Sequence, residues 1–177
     1  MTLRHIRLHT VPDIPWKNGA GTTRLLTEQR EWRLSVASIA RPAPFSVFEG
    51  LIRQMGLLKG QGVRLLPTSG APPLLLDQAG GLIQFGGDLP LTGMPLHGPV
   101  EVLNLMRPDR STGPNLITIT PENPPSGALS GFIAVRGHWD VMAGQQRYTL
   151  TPGDSLLGDV PFEITVLKAG QIAYAVS

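Results

Sequence analysis

The chain has 177 residues, a net charge of +2 and no cysteine, which excludes disulfides and thiolate metal sites. Its basic residues are scattered, which disfavours nucleic-acid binding because that function usually needs a clustered basic face. No apolar run approaches the roughly 20 residues of a membrane helix, and residues 1–10 lack the apolar core of a signal peptide. We therefore expect neither membrane nor nucleic-acid partners, and the lack of cysteine suits a cytoplasmic protein.

Glycine and proline interrupt the sequence about every ten residues, with 21 and 17 copies. This spacing is typical of many short strands and disfavours long helices. No segment has a convincing 3.6-residue period, so an all-β barrel or sandwich is predicted, as one domain or two small halves. The predicted strands include segments 3–11, 32–38, 51–59, 63–66, 74–77, 82–85, 99–107, 115–120, 132–136, 139–142, 146–151, 155–157, 162–167 and 172–176.

Residues 15–24, between the first two predicted strands, concentrate polar chemistry in a loop. They combine a tryptophan, two cations, an amide, two threonines and two glycines. Glycine lets the backbone pass close to a ligand, whereas Lys, Arg, Asn and Thr can bind anions or donate hydrogen bonds. Local chemistry alone leaves two interpretations open, a ligand-binding loop and a β-turn with solvated side chains.

The predicted strand at residues 32–38 alternates clearly between two faces. Trp32, Leu34 and Val36 share one face, and Arg33 and Ser35 share the other with Ala37. In an open sheet the second face meets water. In a barrel it lines a cavity, where a buried arginine needs an anionic partner.

Known catalytic and metal-binding patterns are missing. The four histidines do not form H-x-H or H-E-x-x-H arrangements, and neither G-x-S-x-G nor a Walker A motif is present. No metal ligand, cofactor or catalytic set is therefore predicted. Asp88, at a strand end, is the best acid/base candidate, and a turn-capping aspartate is the simpler interpretation of it.

Several motifs together resemble those of the HutD/Ves family. Residues 15–24, Pro-Trp-Lys-Asn-Gly-Ala-Gly-Thr-Thr-Arg, resemble its P-W-K-N-G-G-G-T-T-R signature, and residues 32–37 resemble its W-R-L-S-I-A strand. Weaker matches follow at residues 44–53, 85–88 and 104–106. The resemblance covers roughly residues 4–107, and the last third shares only a barrel-like pattern of strands and turns.

This resemblance implies a bicupin built from metal-free, cupin-type jelly-roll β-barrels. We predict an N-terminal half over residues 1–110 and a C-terminal half over residues 111–177, packed as one compact unit. Trp139 and Tyr148 are predicted in the core of the second half. The family is linked to histidine utilisation or stress responses, which implies a protein that binds a small carboxylate or amino-acid-derived metabolite, such as urocanate or N-formylglutamate, with a regulatory consequence.

The predicted ligand-binding residues come from the matching motifs and carry charged or hydrogen-bonding side chains. They are Lys17, Asn18, Thr22, Arg24, Arg33, Ser35, Asp88 and Asn104. Trp16 is predicted as a packing anchor, and Phe85 and Met106 as wall or core. Arg53 is open between a structural and a ligand-binding role.

The chain departs from the family pattern at three acidic positions. Leu25 and Ile52 replace an acid that neighbours Arg24 and Arg53 in sequence, and Val102 replaces an aspartate two residues before the Asn104 motif position. If those acids partnered arginines, the arginines here are freer to hold a ligand carboxylate. A rebuilt pocket and a lost site are the other interpretations.

Two alternative functions remain at this point. One is a metal-independent cupin isomerase or hydrolase acting on such a carboxylate, with Asp88 or Lys17 as acid/base. The other is a protein-interaction module whose pocket is vestigial. The expected partner is a small carboxylate, and a homodimer is left open.

Overall fold

The computed structural model describes residues 3–110, 113–125, 129–158, 162–164 and 168–177, which are almost entirely β-structure. The described part of the chain contains eighteen strands and, after the first of them, one short 3₁₀ helix at Leu8–Thr10. The strands are β1 (Arg4–Arg7), β2 (Ile14–Pro15), β3 (Gly21–Glu28), β4 (Arg33–Ile39), β5 (Ala43–Pro44), β6 (Leu51–Lys59), β7 (Val63–Pro67), β8 (Leu74–Leu76), β9 (Leu82–Gly86), β10 (Leu91–Pro95), β11 (Val100–Pro108), β12 (Leu116–Ile119), β13 (Gly131–Arg136), β14 (Trp139–Ala143), β15 (Gln146–Leu150), β16 (Asp154–Leu157), β17 (Phe162–Ile164) and β18 (Ile172–Val176). The prediction of an all-β fold is confirmed.

The strands group into two units that do not follow the predicted division at every point. The N-terminal unit spans Pro12–Gly113, and the C-terminal unit combines the described residues before Pro12 with those from Pro114 onward. The structure therefore moves residues 3–11 out of the predicted N-terminal half. The reason is that β1 pairs antiparallel with β16, with Arg4 opposite Leu157, and such long-range pairing is not visible in a local pattern.

The N-terminal unit is built from two antiparallel sheets. One has six strands in the order β2-β3-β4-β11-β6-β9, and the other has four in the order β5-β10-β7-β8. Apolar side chains from both sheets form one core, which includes Ile39, Met55, Leu65, Phe85 and Val102. Phe85 is thus a core residue, as predicted. Burial of these side chains supplies the main driving force for this packing.

The C-terminal unit has a five-stranded sheet in the order β1-β16-β13-β18-β12 and a three-stranded sheet in the order β15-β14-β17. Its core contains Trp139, which is fully buried and meets the Phe132 ring edge-on at 5.1 Å between centroids. The indole Nε1 donates to the Arg136 carbonyl at 3.0 Å, so the buried polar atom is satisfied. Trp139 is a core residue as predicted, and Tyr148 packs against this core while remaining partly exposed.

Strand positions agree best with prediction where apolar residues run longest. The predicted strand at residues 51–59 coincides with β6, and that at residues 99–107 is shifted by one residue from β11. The largest difference is that β3 begins at Gly21, inside the segment predicted as a loop. Strand β3 and the short strands β2, β5 and β10 were not predicted, and residues 165–167 of the predicted strand 162–167 lie outside the described part.

Among the described residues, no helix is long and apolar enough to span a bilayer.

Candidate functional site

A cavity of about 570 Å³ lies within the N-terminal unit. Half of the sixteen residues that line it have polar side chains, and half are apolar or aromatic. They are Pro15, Trp16, Lys17, Asn18, Thr23, Arg33, Ser35, Ala37, Pro44, Phe45, Ser46, Phe48, Arg53, Met55, Asn104 and Met106. A volume of this size and a mixed lining are typical of pockets for small molecules.

The cavity floor consists of the lining residues on three adjacent strands, β4, β11 and β6. Ser35, Asn104 and Met55 form one cross-strand row, and Arg33, Met106 and Arg53 form the next. Side chains directly opposite one another share a face of the sheet, so each row points into the cavity. The predicted alternation of residues 32–38 is confirmed, because Arg33, Ser35 and Ala37 all line the cavity.

The two floor arginines lie on either side of a central strand. Met106 of β11 separates Arg33 of β4 from Arg53 of β6. Neighbouring strands are about 4.8 Å apart, so the backbones of the two arginines are roughly 10 Å apart. The two side chains differ in burial and in hydrogen-bond partners, and these differences decide which of them can contact a bound molecule.

Arg53 is enclosed by protein. Its side chain is 7% exposed, and its guanidinium carbon lies 5.1, 5.3 and 5.5 Å from the ring centroids of Phe85, Phe45 and Phe48. We call these three rings the aromatic box. Nε donates to the Asn104 Oδ1 at 3.4 Å, and a terminal nitrogen approaches the Ser46 carbonyl at 3.5 Å. Burial lowers the pKa of Arg53 to about 10, which still leaves it charged at neutral pH.

Arg33 has no such enclosure. Its Nε is buried without a hydrogen-bond partner among the described residues. Glu28 lies opposite Arg33 in the β3–β4 register, but it is exposed and does not line the cavity. A cation on the cavity floor with a buried, unsatisfied donor is arranged to receive an anion.

Ser35 and Asn104 complete the polar centre of the floor. Both are 3% exposed and face each other across the β4–β11 pair. Because Arg53 engages the Asn104 Oδ1, the amide Nδ2 of Asn104 is left as a donor. The guanidinium of Arg33, the hydroxyl of Ser35 and the amide of Asn104 therefore suit a carboxylate, which only accepts hydrogen bonds.

The hairpin of β2 and β3 holds Lys17 and Asn18 at the cavity rim. Trp16 anchors it, since its Nε1 donates to Thr23 Oγ1 at 2.8 Å and its backbone N–H to the Gly21 carbonyl at 2.9 Å. A Cβ at Gly21 would lie 2.2 Å from the Ser38 carbonyl oxygen, so only glycine fits there. Trp16 also meets Phe45 edge-on at 6.1 Å, which agrees with its predicted role as a packing anchor.

The structure brings together Lys17, Asn18, Arg33, Ser35 and Asn104 from the predicted site, but not Thr22, Arg24 or Asp88. In β3 successive side chains alternate between faces, so Thr23 points into the cavity while its neighbours point away. Arg24 donates to Asp13 at 3.0 Å and to Glu101 at 3.2 Å. Thr22 and Arg24 therefore do not line the cavity, because residues 21–28 form a strand and not the predicted loop.

Asp88 lies in the exposed turn after β9 and outside the cavity lining. This position agrees with the simpler interpretation, an aspartate in a turn.

Asp13 ties the segment before β2 to β3. Its carboxylate accepts from Thr22 Oγ1 at 2.7 Å and from Arg24, and these two hydrogen bonds lower the pKa of Asp13 below its usual value. Because the ionised Asp13 carboxylate is favoured in the folded state, it stabilises the protein at pH values above the unfolded-state pKa of about 4. This stabilisation is lost as the pH falls through the folded-state pKa.

We therefore expect Asp13→Asn to lower the thermal stability fully at pH 7 and pH 5, and to lower it less at pH 3, because the contribution decreases as the pH falls below the unfolded pKa of about 4. Thermal unfolding of both proteins at the three pH values is the measurement. A wild-type advantage that is equally large at pH 3 would contradict the assignment of these contacts to the ionised carboxylate.

Several lining residues were not among those predicted from sequence. Thr23, Ser46 and Met55 are examples, together with Phe45 and Phe48, which appeared only as parts of a weak motif. Met106, predicted as wall or core, lines the cavity floor. The two-residue period could have indicated Met55, which lies in the predicted strand at residues 51–59. It could also have indicated Thr23 if residues 21–28 had been recognised as a strand.

The three positions that lack the family's acids fall on different faces. Leu25 lies opposite Ser35, and Val102 lies opposite Ala37, so both are on the cavity face of the sheet. Ile52 precedes Arg53 in β6 and therefore points to the other face. Leu25 and Val102 thus share the face of the sheet that carries Arg33, although neither lines the cavity.

The described residues contain no group of three or more His, Asp or Glu side chains that could hold a metal ion. In the C-terminal unit, His5 lies 3.9 Å from Asp154, whose carboxylate also accepts from the backbone and hydroxyl of Thr151. Asp154 thereby closes the turn before β16, which is a structural role.

Comparison with known proteins identifies the relatives of this chain. The model of the HutD family matches residues 8–174. The chain belongs to the HutD family. A 21.2 kDa protein of the hutC 3′ region from Pseudomonas putida is 35% identical over 113 residues, 59% of this chain and 57% of that protein. The Ves protein of Citrobacter koseri is 38% identical over 69 residues, 36% of each chain. The matches thus span little more than half and about a third of these relatives.

Solved structures confirm the fold of this HutD-family chain. A conserved protein from Pseudomonas aeruginosa superposes with a TM-score of 0.79 at 24% identity, covering 100% of this chain and 98% of that one. HutD from Pseudomonas fluorescens superposes with a TM-score of 0.72 at 21% sequence identity, and the match covers 99% of this chain and 95% of that one. A cupin barrel protein from Leptotrichia buccalis superposes with a TM-score of 0.63 at 8% sequence identity, and the match covers 98% of this chain and 95% of that one. The predicted family and the all-β cupin fold are both confirmed.

Proposed function

We propose that this HutD-family protein binds a small carboxylate on the cavity floor, and that binding regulates the catabolism of histidine or a related amino acid. The observation that carries the proposal is Arg33, whose buried Nε lacks a partner in a cavity with no Asp or Glu among its described lining residues. A carboxylate would supply the missing acceptor and the missing negative charge.

The catabolic role rests on names of relatives. One relative is a protein of the hutC 3′ region, and one structural neighbour is HutD itself. A binding protein from such a gene neighbourhood could report the level of a pathway carboxylate. Exchanging the cellular copy for an Arg33→Ala variant should then change expression of the histidine-degradation genes as deletion does.

The alternative functions receive less support from the geometry. The enzyme interpretation offered Asp88 or Lys17 as the acid/base group; Asp88 lies outside the cavity, and Lys17 lines it without a second candidate acid or base among the described lining residues. A cavity of about 570 Å³, with polar side chains on half of its lining residues, disfavours the interpretation of a vestigial pocket. No specific observation favours either alternative over binding.

A thermal-shift screen tests the binding proposal directly. EDTA-treated protein would be heated with small carboxylates, amino acids and intermediates of histidine degradation, including urocanate and N-formylglutamate. A ligand at 100 times its dissociation constant adds about 2.7 kcal/mol of stability. For a chain of this size, each kcal/mol raises Tm by roughly 2–4 °C.

The controls separate specific binding from general salt effects. Chloride at the same ionic strength should leave Tm unchanged. A selective shift by one chemical group of carboxylates supports the proposal. A flat panel, repeated with added divalent metals and still flat, overturns it.

A further inference from the structure

We propose that Asn18 is a site of self-modification, at which the side-chain amide is converted to a carboxylate without an enzyme. Asn18 and Gly19 form the one Asn-Gly dipeptide of the sequence. Both residues are exposed, and Asn18 lines the cavity. Asparagine is among the chemically labile residues of proteins, and a following glycine has no Cβ that hinders the approach of its nitrogen to the Asn side chain.

The reaction needs only water as a co-reactant. The Gly19 backbone nitrogen attacks the Asn18 Cγ, and the new C–N bond closes a succinimide ring. The Cγ–Nδ2 bond breaks, and the amide nitrogen leaves as ammonia with the proton that the Gly19 nitrogen has lost. Water then opens the ring at either of its carbonyl carbons, which produces aspartate or isoaspartate at position 18 and adds a negative charge.

Two hydrogen bonds in this turn favour the attack. The Ala20 N–H donates to the Asn18 Oδ1 at 3.0 Å, so it polarises the side-chain carbonyl and stabilises the charge that develops on Oδ1. This Asx turn also folds the Asn18 side chain back towards the peptide bond that follows it. Arg41 Nη2 donates to the Asn18 backbone carbonyl at 3.1 Å, and a cation there stabilises the adjoining peptide nitrogen after its proton is lost.

One hydrogen bond opposes the attack. The Gly19 N–H donates to the Trp16 carbonyl at 2.9 Å, and this bond must open before the nitrogen can react. Charge-assisted hydrogen bonds are roughly twice as strong as neutral ones, so we expect the contact of Arg41 to have the larger effect. Because Gly19 lies in an exposed turn, the bond can open locally without unfolding of the sheet.

The masses of proteolytic peptides measure the conversion in the intact protein. Purified protein is held at neutral pH and sampled over several days, and each converted amide gives a heavier peptide that chromatography separates into aspartate and isoaspartate forms. Asn115 is the internal control, because it is also exposed but is followed by Leu116. We expect Asn18 to convert at least about 10-fold faster than Asn115, as two favourable hydrogen bonds would allow.

Variants of Arg41 test the mechanism. Arg41→Ala should slow the conversion of Asn18 by at least about threefold, because it removes the cation from the Asn18 carbonyl. Arg41→Lys keeps a cation and should retain most of the rate. Arg64→Ala is the matched control and should leave the rate unchanged, since Arg64 is exposed on β7 and outside the cavity lining. Far-UV circular dichroism checks that each variant is folded.

The converted residue adds an acid to a lining that has none among its described residues, next to Lys17. Its effect on binding rests on the proposed function, because a negative charge at the rim repels a bound carboxylate. Asn18→Asp imitates the converted protein, and Asn18→Ser removes the amide without adding charge while keeping a hydroxyl that can close the turn. In calorimetric titrations with urocanate and N-formylglutamate, Asn18→Asp should bind at least about threefold more weakly than Asn18→Ser.

The outcomes separate the self-modification from the proposed function. Conversion of Asn18 no faster than that of Asn115, or faster conversion in Arg41→Ala, overturns the self-modification. Equal affinities of Asn18→Asp and Asn18→Ser overturn its effect on binding and leave the carboxylate site intact. Absence of binding of every carboxylate by the wild-type protein overturns the proposed function and this effect, whereas the peptide masses still decide whether Asn18 is converted.

Discussion

Arg33→Ala is expected to weaken carboxylate binding by about 10- to 150-fold, because a hydrogen bond to a charged group contributes about 1.5–3 kcal/mol. The same change should leave thermal stability within about 1 kcal/mol of wild type, since the Arg33 Nε has no partner to lose within the described residues. Calorimetric titration and thermal unfolding measure the two effects separately.

Arg24 supplies the matched control for Arg33. Both arginines lie in family motifs, but Arg24 is held outside the cavity by Asp13 and Glu101. Arg24→Ala should retain carboxylate affinity within about twofold while lowering stability modestly, as expected for partly exposed ion pairs. If Arg24→Ala abolished binding and Arg33→Ala did not, the assignment of the anion site to the floor would be wrong.

Arg53→Ala is expected to destabilise the protein by about 2–4 kcal/mol, which lowers Tm by roughly 4–16 °C. Truncation empties the aromatic box and removes three cation–π contacts together with the hydrogen bond to Asn104. Because the side chain is nearly fully buried, little water can replace these contacts.

Arg53→Met separates packing from charge. Methionine fills much of the same space and avoids the desolvation of a buried charge, although it leaves the Asn104 Oδ1 without the Arg53 donor. We expect Arg53→Met to recover at least half of the Tm lost in the alanine variant. Equal losses in the two variants would place the stabilisation in the charge, and no loss in either would contradict the packing role of Arg53.

Together the two predictions assign different roles to two arginines of one cavity. Arg53 is engaged by aromatic rings and by Asn104, so its removal is expected to affect stability first. Arg33 lacks such partners, so its removal is expected to affect binding first. Burial and hydrogen bonding, rather than residue type, distinguish a structural cation from one available to a ligand.

Much of the candidate site can be predicted from the sequence. The alternation of Arg33, Ser35 and Ala37 predicted a shared face, and the motif of residues 15–24 indicated the rim that carries Lys17 and Asn18. Thr22 and Arg24 were misplaced because this segment was expected to be a loop, in which neighbouring side chains can converge. In a strand they cannot, since adjacent residues point to opposite faces.

The sequence by itself determined the all-β class, the family and the absence of thiol chemistry, because glycine and proline spacing, short specific motifs and composition are local properties. Only the tertiary structure decided which arginines of the family motifs have hydrogen-bond partners within the protein. Arg24 meets Glu101, 77 positions away, and Arg53 meets Asn104, 51 positions away. Strand order and register bring these partners together, and neither is encoded in the pattern around each arginine. Arg33 differs from both, because its register partners are Met106 on β11 and the exposed Glu28 on β3, and none of the described lining residues is acidic.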